Sequence, residues 1–176
     1  MKSFWVLIIG VALMSTPSSG WAETAKADIQ PTQSNTAGFP VSGTATLIDT
    51  PDGLKVTVQV THVLPGQHGV HIHQYGDCSD GGNAAGGHYN PDKVTHGFLP
   101  KDGLTKAHPG DLGNIEVAPD GTGALTIILP GVSLTGDKYH VAGRAIVLHE
   151  KVDDFGQPTG NAGARIGCGT ILLTKE

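Results

Sequence analysis

The sequence predicts an all-β fold, a sandwich or flattened barrel of seven or eight short antiparallel strands with two long functional loops. Three observations predict it. Glycine and proline are abundant, 26 and 11 in 176 residues, while charged residues make up 15% and aromatics 5%, a profile of many turns and little helix. Short runs alternate apolar with polar residues, the period of a strand with one buried face. Turn signals separate those runs, and neither an internal repeat nor a long helical pattern interrupts them.

The first residues read as a targeting segment. Lys2 precedes an apolar run from Phe4 to Met14, too short to span a bilayer, and Gly20-Trp21-Ala22 places small residues where a signal peptidase reads them. Residues 1–22 are therefore expected to be a signal peptide cleaved after Ala22. Residues 23–37 are rich in Ala, Pro, Thr, Ser and Gln, with Ile29 the only large apolar side chain, and are expected to be a flexible N-terminal segment. The folded domain is expected over 38–176.

Within that domain each element follows from local pattern. Val41 to Leu47 alternates loosely, Pro51-Asp52-Gly53 turns the chain, and Leu54, Val56, Val58 and Val60 alternate cleanly, which makes a hairpin with one buried face. Val70 to Tyr75 is the next strand. Gly76 to Gly113 has no periodic apolar run; a loop of that length in a compact domain is usually functional. Asn114 to Ala118 and Ala124 to Leu129 form a second hairpin about Pro119-Asp120-Gly121. Gly143 to His149 is a strong strand, Glu150 to Arg165 a second loop, and Ile166 to Leu173 the last strand.

Formal charge is −5, and loss of Lys2 with the signal leaves 10 basic against 16 acidic residues, or −6. That balance argues against nucleic-acid and anionic-membrane binding. An exported chain with two cysteines, Cys78 and Cys168, is expected to pair them. The closed loop of roughly 90 residues corresponds to about 4–5 kcal/mol in the chain-entropy treatment.

Chemistry concentrates in histidine. In a strand, His71 and His73 point to one face and can aim two imidazoles at one ion. His88, His96, His108, Asp111 and His149 bring the candidate ligands to seven, too many for one tetrahedral site. Two four-coordinate ions need eight ligand positions, so seven suffice if one residue is shared. A histidine can be shared because its ring nitrogens face apart. Two linked metals on a β scaffold is the reading these residues support.

Five motifs sharpen it. His68 through Asp77, Gly86-Gly87-His88-Tyr89-Asn90-Pro91, His108 through Asn114, Gly143-Arg144 through His149-Glu150-Lys151, and Gly160-Asn161-Ala162-Gly163-Ala164-Arg165 with Cys168-Gly169 resemble the copper,zinc superoxide dismutases of the exported, bacterial periplasmic type. The resemblance runs from about Val41 to the C-terminus. It implies an eight-stranded Greek-key β-sandwich or flattened barrel, an architecture for which this family is a standard instance. It implies one copper and one zinc ion per subunit. The copper ligands would be His71, His73, His88 and His149, an all-imidazole set suited to Cu(II). The zinc ligands would be His88, His96, His108 and Asp111, a closed site. His88 would bridge the metals and take a proton when the copper is reduced. Asp153 would orient one ligand of each metal, and Arg165 would attract and hold a small anion.

The implied reaction is dismutation of superoxide to oxygen and hydrogen peroxide, in defence against superoxide outside the cytoplasm. The alternative is a copper storage or delivery protein on the same fold, which would be expected to lack copper ligands or the arginine. Location is expected to be periplasmic, with secretion fitting as well. Gly76, Gly143 and the apolar C-terminus suit a homodimer, while the small Ala142 suits a monomer equally. The second loop lacks the acidic-and-lysine segment that guides anions in animal enzymes. Lys101 or Lys106, in the lengthened loop between His96 and His108, is expected to supply that positive field instead.

Overall fold

The computed structural model describes residues 22–32, 40–136 and 138–175. The signal segment lies outside the described residues except for Ala22. Nine strands follow in order: β1 Thr24–Pro31, β2 Ser42–Thr50, β3 Gly53–Thr61, β4 Gly66–His73, β5 Asp111–Val117, β6 Gly123–Leu129, β7 Ala145–His149, β8 Arg165–Thr170 and β9 Leu172–Leu173. Helical structure is confined to a 3-10 turn at Asp80–Ala85 and one α turn, α1, at Leu99–Asp102 among the described residues.

The strands pair in the order β2-β3-β6-β5-β4-β7-β8-β1, and β1 returns to β2. The ring is an eight-stranded antiparallel barrel, with β9 added to β1. Its β3-β6-β5-β4 quartet has the strand order of a Greek key: three consecutive antiparallel neighbours, β4, β5 and β6, with the earlier strand β3 beside the last of them. The expected fold class is therefore the observed one.

Residues 24–31 depart from expectation. They form a full strand that pairs with β2 from Thr24 to Ile29 and with β8 at Gln30 and Pro31. Ala25, Ala27 and Ile29 are buried while Lys26, Asp28 and Gln30 are exposed. The period of two was present, but alanine has a weak strand preference, so the pattern did not read as a strand. The flexible segment is corrected over 24–31, where it closes the barrel; residues 33–37 lie outside the described residues.

The core is built from alternate positions. Leu54, Val56, Val58 and Val60 of β3 are buried, and beside them on the neighbouring strands Ala45 and Leu47 of β2 and Leu129 of β6 point into the same core. Strand β4 is different, because every residue from His68 to His73 is buried. Val70 and Ile72 enter the core, which puts His71 and His73 on the outer face. Two loops cover that face, 74–110 and 150–164. On β7, Ile146 and Leu148 join the core, while Ala145 and Val147 pack with Ala85, Cys168 and Cys78 in a small cluster outside the barrel. His149 shares the outward parity of Ala145 and Val147.

Cys78 and Cys168 are disulfide-bonded, with Cα atoms 5.7 Å apart. The bond ties the first long loop to β8, three residues beyond Arg165. Nothing among the described residues is a helix long and apolar enough to cross a membrane.

Candidate metal centre

The structure brings all seven candidate ligands together, and every one is buried. Register explains part of this. His71 lies opposite Val147 and His73 opposite Ala145, so His149 stands two residues along the same outward face of β7. Gly69 occupies the β4 position next to His71 on that face. A Cβ there would come within 3.1 Å of the His71 ring and 3.0 Å of Ala162, so the missing side chain makes room for the imidazole. His88 reaches the strands through an isolated bridge to His73.

Two overlapping groups result. His71, His73, His88 and His149 offer ligand atoms within 4.8 Å of one another, and so do His88, His96, His108 and Asp111. Hydrogen bonds choose which ring nitrogen faces inward. His71 Nε2–H donates to Asp153 Oδ2 at 2.8 Å, His73 Nδ1–H to the Gly86 carbonyl at 2.9 Å, and His149 Nδ1–H to the Gly163 carbonyl at 3.3 Å. That leaves His71 Nδ1, His73 Nε2 and His149 Nε2 to converge. The two Nε2 atoms are 3.3 Å apart, close to the about 3.3 Å expected between neighbouring nitrogens on a tetrahedral ion with bonds of about 2.0 Å.

In the second group, His96 Nε2–H donates to Asp153 Oδ1 at 2.9 Å and His108 Nε2–H to the Val94 carbonyl at 3.2 Å. Asp111 Oδ2 accepts the backbone N–H groups of Gly97 and His108 at 3.0 and 2.9 Å. Its Oδ1 lies 3.1 Å from His88 Nδ1 and 2.9 Å from His108 Nδ1. With Nδ1 of His88 turned to Asp111, Nε2 is left for the first group.

Two buried ring nitrogens, His71 Nδ1 and His96 Nδ1, have no hydrogen-bond partner. His96 Nδ1 sits 2.9 Å from Asp111 Oδ2 but without hydrogen-bond geometry. Buried polar atoms without a partner are rare in folded proteins. One belongs to each group, and both point where an ion would sit, so the residues fit two metals.

Asp153 joins the groups. Its carboxylate accepts from His71, from His96 and from the Phe155 N–H at 2.8 Å. Asn114 fixes its backbone: Nδ2 donates to the Asp153 carbonyl at 2.9 Å, and the Asp153 N–H donates to Oδ1 at 2.7 Å. Gly160 must be glycine here. Its φ is +76°, and a Cβ would lie 1.9 Å from Asp153 Oδ1 and 2.7 Å from His96 Nε2.

The groups differ electrostatically. Burial pulls His73 down to about 2, and neighbouring His88 adds to the effect; burial, with His71 beside it, takes His88 down to about 4. His71 and His149 are lowered by burial as well. These imidazoles are neutral at pH 7, the form that ligates a metal. His96 goes the other way. Burial alone would lower it, but the carboxylates of Asp111 and Asp153 outweigh that and raise it to about 9. Burial opposes ionisation of Asp111 and Asp153, yet their histidine partners hold both well below the usual carboxylate range.

A cleft of about 360 Å³ opens onto His73, His88 and His149, with Thr159, Asn161 and Arg165 among its other lining residues. Arg165 donates Nη1–H to the Gly82 carbonyl at 2.5 Å and Nη2–H to the Gly86 carbonyl at 2.6 Å. Both acceptors lie in the disulfide-tied loop, so the guanidinium is held in place. A second cleft of about 340 Å³ meets His88 and His108 from another side, past Lys93, Gln157 and Thr159. Lys101 and Lys106 line neither cleft.

Comparison with known proteins decides the family. The model for "Copper/zinc superoxide dismutase (SODC)" matches residues 41–171. The chain belongs to the copper/zinc superoxide dismutase family. Enzymes of this family use copper and zinc, which agrees with the two ligand groups. The chain is 44% identical over 130 residues to the extracellular copper-zinc superoxide dismutase of Caenorhabditis elegans, covering 70% of this chain and 57% of that protein. It is 44% identical over 136 residues to the extracellular copper-zinc superoxide dismutase of Haemonchus contortus, covering 73% of this chain and 72% of that one. A crystal structure of the clock protein EA4 superposes with a TM-score of 0.75 at 33% identity, over 91% of this chain and 100% of the other.

The remaining histidines also find their places. His68 is buried, its ring nitrogens 2.9 Å from the His149 carbonyl and 2.8 Å from the Leu64 carbonyl, so it packs behind a ligand. His62 and His140 are exposed. Sequence reasoning missed Gln157, which touches His96, and the carbonyls of Gly86, Val94 and Gly163. Backbone acceptors and a lone loop amide carry no periodic signal.

Proposed function

We propose that this protein dismutates superoxide to oxygen and hydrogen peroxide outside the cytoplasm, with copper at His71, His73, His88 and His149 and zinc at His88, His96, His108 and Asp111. The observation that carries the reading is the arginine-lined cleft over the all-imidazole group. A storage or delivery protein needs the ligands but not a fixed cation beside them. When bound, copper supplies the one-electron couple that takes an electron from one superoxide and returns it to a second.

The residues of the chain do the rest. Arg165 keeps its charge at any physiological pH, draws the anion into the cleft and can hydrogen-bond it there. Gly82 and Gly86 keep the guanidinium aimed. His88 Nε2, which borders the cleft group, would carry a proton toward the anion. His73, His149 and His71 are held in single tautomers by Gly86, Gly163 and Asp153, so no reorganisation is needed at each turnover.

Export is supported by the signal-like first residues and by the extracellular names of two relatives; a periplasmic address is the finer form of this proposal. Exposed Tyr75, Leu172 and Leu173 support a homodimer, to be tested by sedimentation. The functional test is superoxide dismutation by the mature copper- and zinc-loaded chain beside His149→Ala and Arg165→Ala. Turnover is expected to vanish with His149→Ala and to fall about tenfold to a thousandfold with Arg165→Ala. Tight copper binding without turnover in the parent would favour the storage or delivery protein.

A further inference from the structure

Three amide side chains among the described residues do the same unusual thing: each pairs with both the N–H and the C=O of one other residue, as a strand neighbour would. Asn90 does so to Val94, at 3.1 and 2.9 Å. Asn114 does so to Asp153. The third is Gln157, whose Oε1 accepts the His96 N–H at 3.0 Å and whose Nε2–H donates to the His96 carbonyl at 2.8 Å. Asn90 holds a residue in its own loop. Gln157 reaches across 61 residues from the other loop.

His96 needs such a partner. It lies in residues 93–98, which have no regular secondary structure, and it is itself buried. No ladder supplies its backbone with hydrogen bonds, and an unpaired buried peptide group is costly. The neighbours solve the same problem with side chains: Gly97 N–H donates to Asp111 Oδ2, and Phe98 N–H to Asp102 Oδ2 at 2.8 Å. For His96 the solution comes from the second loop alone. That loop grips the residue twice, through Gln157 on its backbone and Asp153 on its ring.

We infer that Gln157 is a positioning residue for His96, and that it makes the second metal group depend on the order of the loop that walls the active-site cleft. Thr159, Asn161 and Gly163, which line that cleft, follow Gln157 within six residues. When His96 holds zinc, its backbone anchors Gln157 and with it this wall. The inference rests on the assignment of His96 to zinc, but its structural half does not require metal.

The test uses the mature chain and three variants: Gln157→Ala, Gln157→Glu and the core control Val56→Ala. Glutamate keeps the acceptor for His96 N–H and loses the donor to its carbonyl. Zinc and copper release from the loaded protein are followed with separate chromogenic chelators, and hydrogen exchange of the His96 amide is read in the metal-free protein. Gln157→Ala is expected to release zinc about tenfold to a hundredfold faster with copper release within twofold of the parent. Gln157→Glu should fall between the two, and Val56→Ala should change neither ratio. The His96 amide should exchange at least tenfold faster in metal-free Gln157→Ala.

Unchanged zinc release in Gln157→Ala would overturn the inference, as would equal acceleration of both metals or the same loss in Val56→Ala. If the alanine variant does not fold, Gln157→Glu decides: parent-like zinc release and exchange would overturn the inference. A parent chain that takes up no zinc would overturn instead the assignment of His96, while the amide exchange would still judge Gln157.

Discussion

Three of the four ligands in the first group stand on strands, His71 and His73 on β4 and His149 on β7, whereas the second group draws His88, His96 and His108 from one long loop and Asp111 from the first residue of β5. The strand group is held by the sheet ladder and contains no carboxylate. Its imidazoles are neutral before any metal arrives. In the loop group, His96 and His108 have no ladder beneath them. Its geometry depends on Asp111, Asp153 and side chains that stand in for strand partners, and the same carboxylates keep a proton on His96. The strand group is ready to bind, while the loop group must expel a proton and hold two loops together. His88 belongs to both, so the less regular group sets the position of one member of the strand group.

The sharpest way to break this contrast is Gly160→Ala. The new Cβ would occupy the Asp153 carboxylate and press on His96, so the loop group should lose zinc affinity by more than about a hundredfold, while the strand group keeps copper. Metal content after dialysis reads this directly; loss of both metals in parallel would break the comparison. Asp153→Asn is milder. An asparagine cannot accept from two imidazoles with full strength, and zinc affinity should fall about tenfold to a hundredfold. Copper should be affected less, because His96 approaches both oxygens of Asp153 and His71 only one.

Proton competition sharpens the contrast further. With His96 raised to about 9, zinc binding at lower pH must displace its proton, so apparent affinity should fall about tenfold per pH unit below that value. Copper binding should be much flatter from pH 6 to 8, since His73 and His88 titrate at about 2 and about 4. Competition titrations at several pH values measure both slopes. The metal-free protein carries the same signature with its own sign. A raised His96 stabilises it fully below the unfolded value near 6.5, and this is lost as pH rises through about 9. Lowered Asp111 and Asp153 stabilise it above about 4, and this is lost on acidification. Its thermal midpoint should therefore decline from pH 6.5 toward 9.

The smallest effect is expected from Lys101→Gln and Lys106→Gln. Both side chains are outside the clefts and act only over distance, where salt screens charges beyond about 8–10 Å. Each should lower the rate by less than about twofold and flatten its ionic-strength dependence. A parent-like salt dependence in both would remove them from anion guidance.

Much of the strand half was legible in the sequence because strands have a period. The two-residue spacing of His71 and His73 set them on one face, and the alternation of Leu54 to Val60 foretold the buried side of β3. The same rule failed at β1, where Ala25 and Ala27 supply the buried positions without the bulk that marks a strand. The loop half had no period to read. His96, His108 and Asp111 were assigned through motif resemblance, and their geometry was set by contacts that no spacing announces. Gln157 shows the limit most clearly: nothing about one glutamine in a short loop points to a backbone 61 residues away.

The most direct measurement is anomalous diffraction from crystals of the copper- and zinc-loaded protein, recorded on both sides of each metal's absorption edge. The structure predicts two peaks joined by the His88 ring, copper among His71, His73 and His149, and zinc among His96, His108 and Asp111. A single peak, the same metal in both groups, or metals in the reverse order would contradict it.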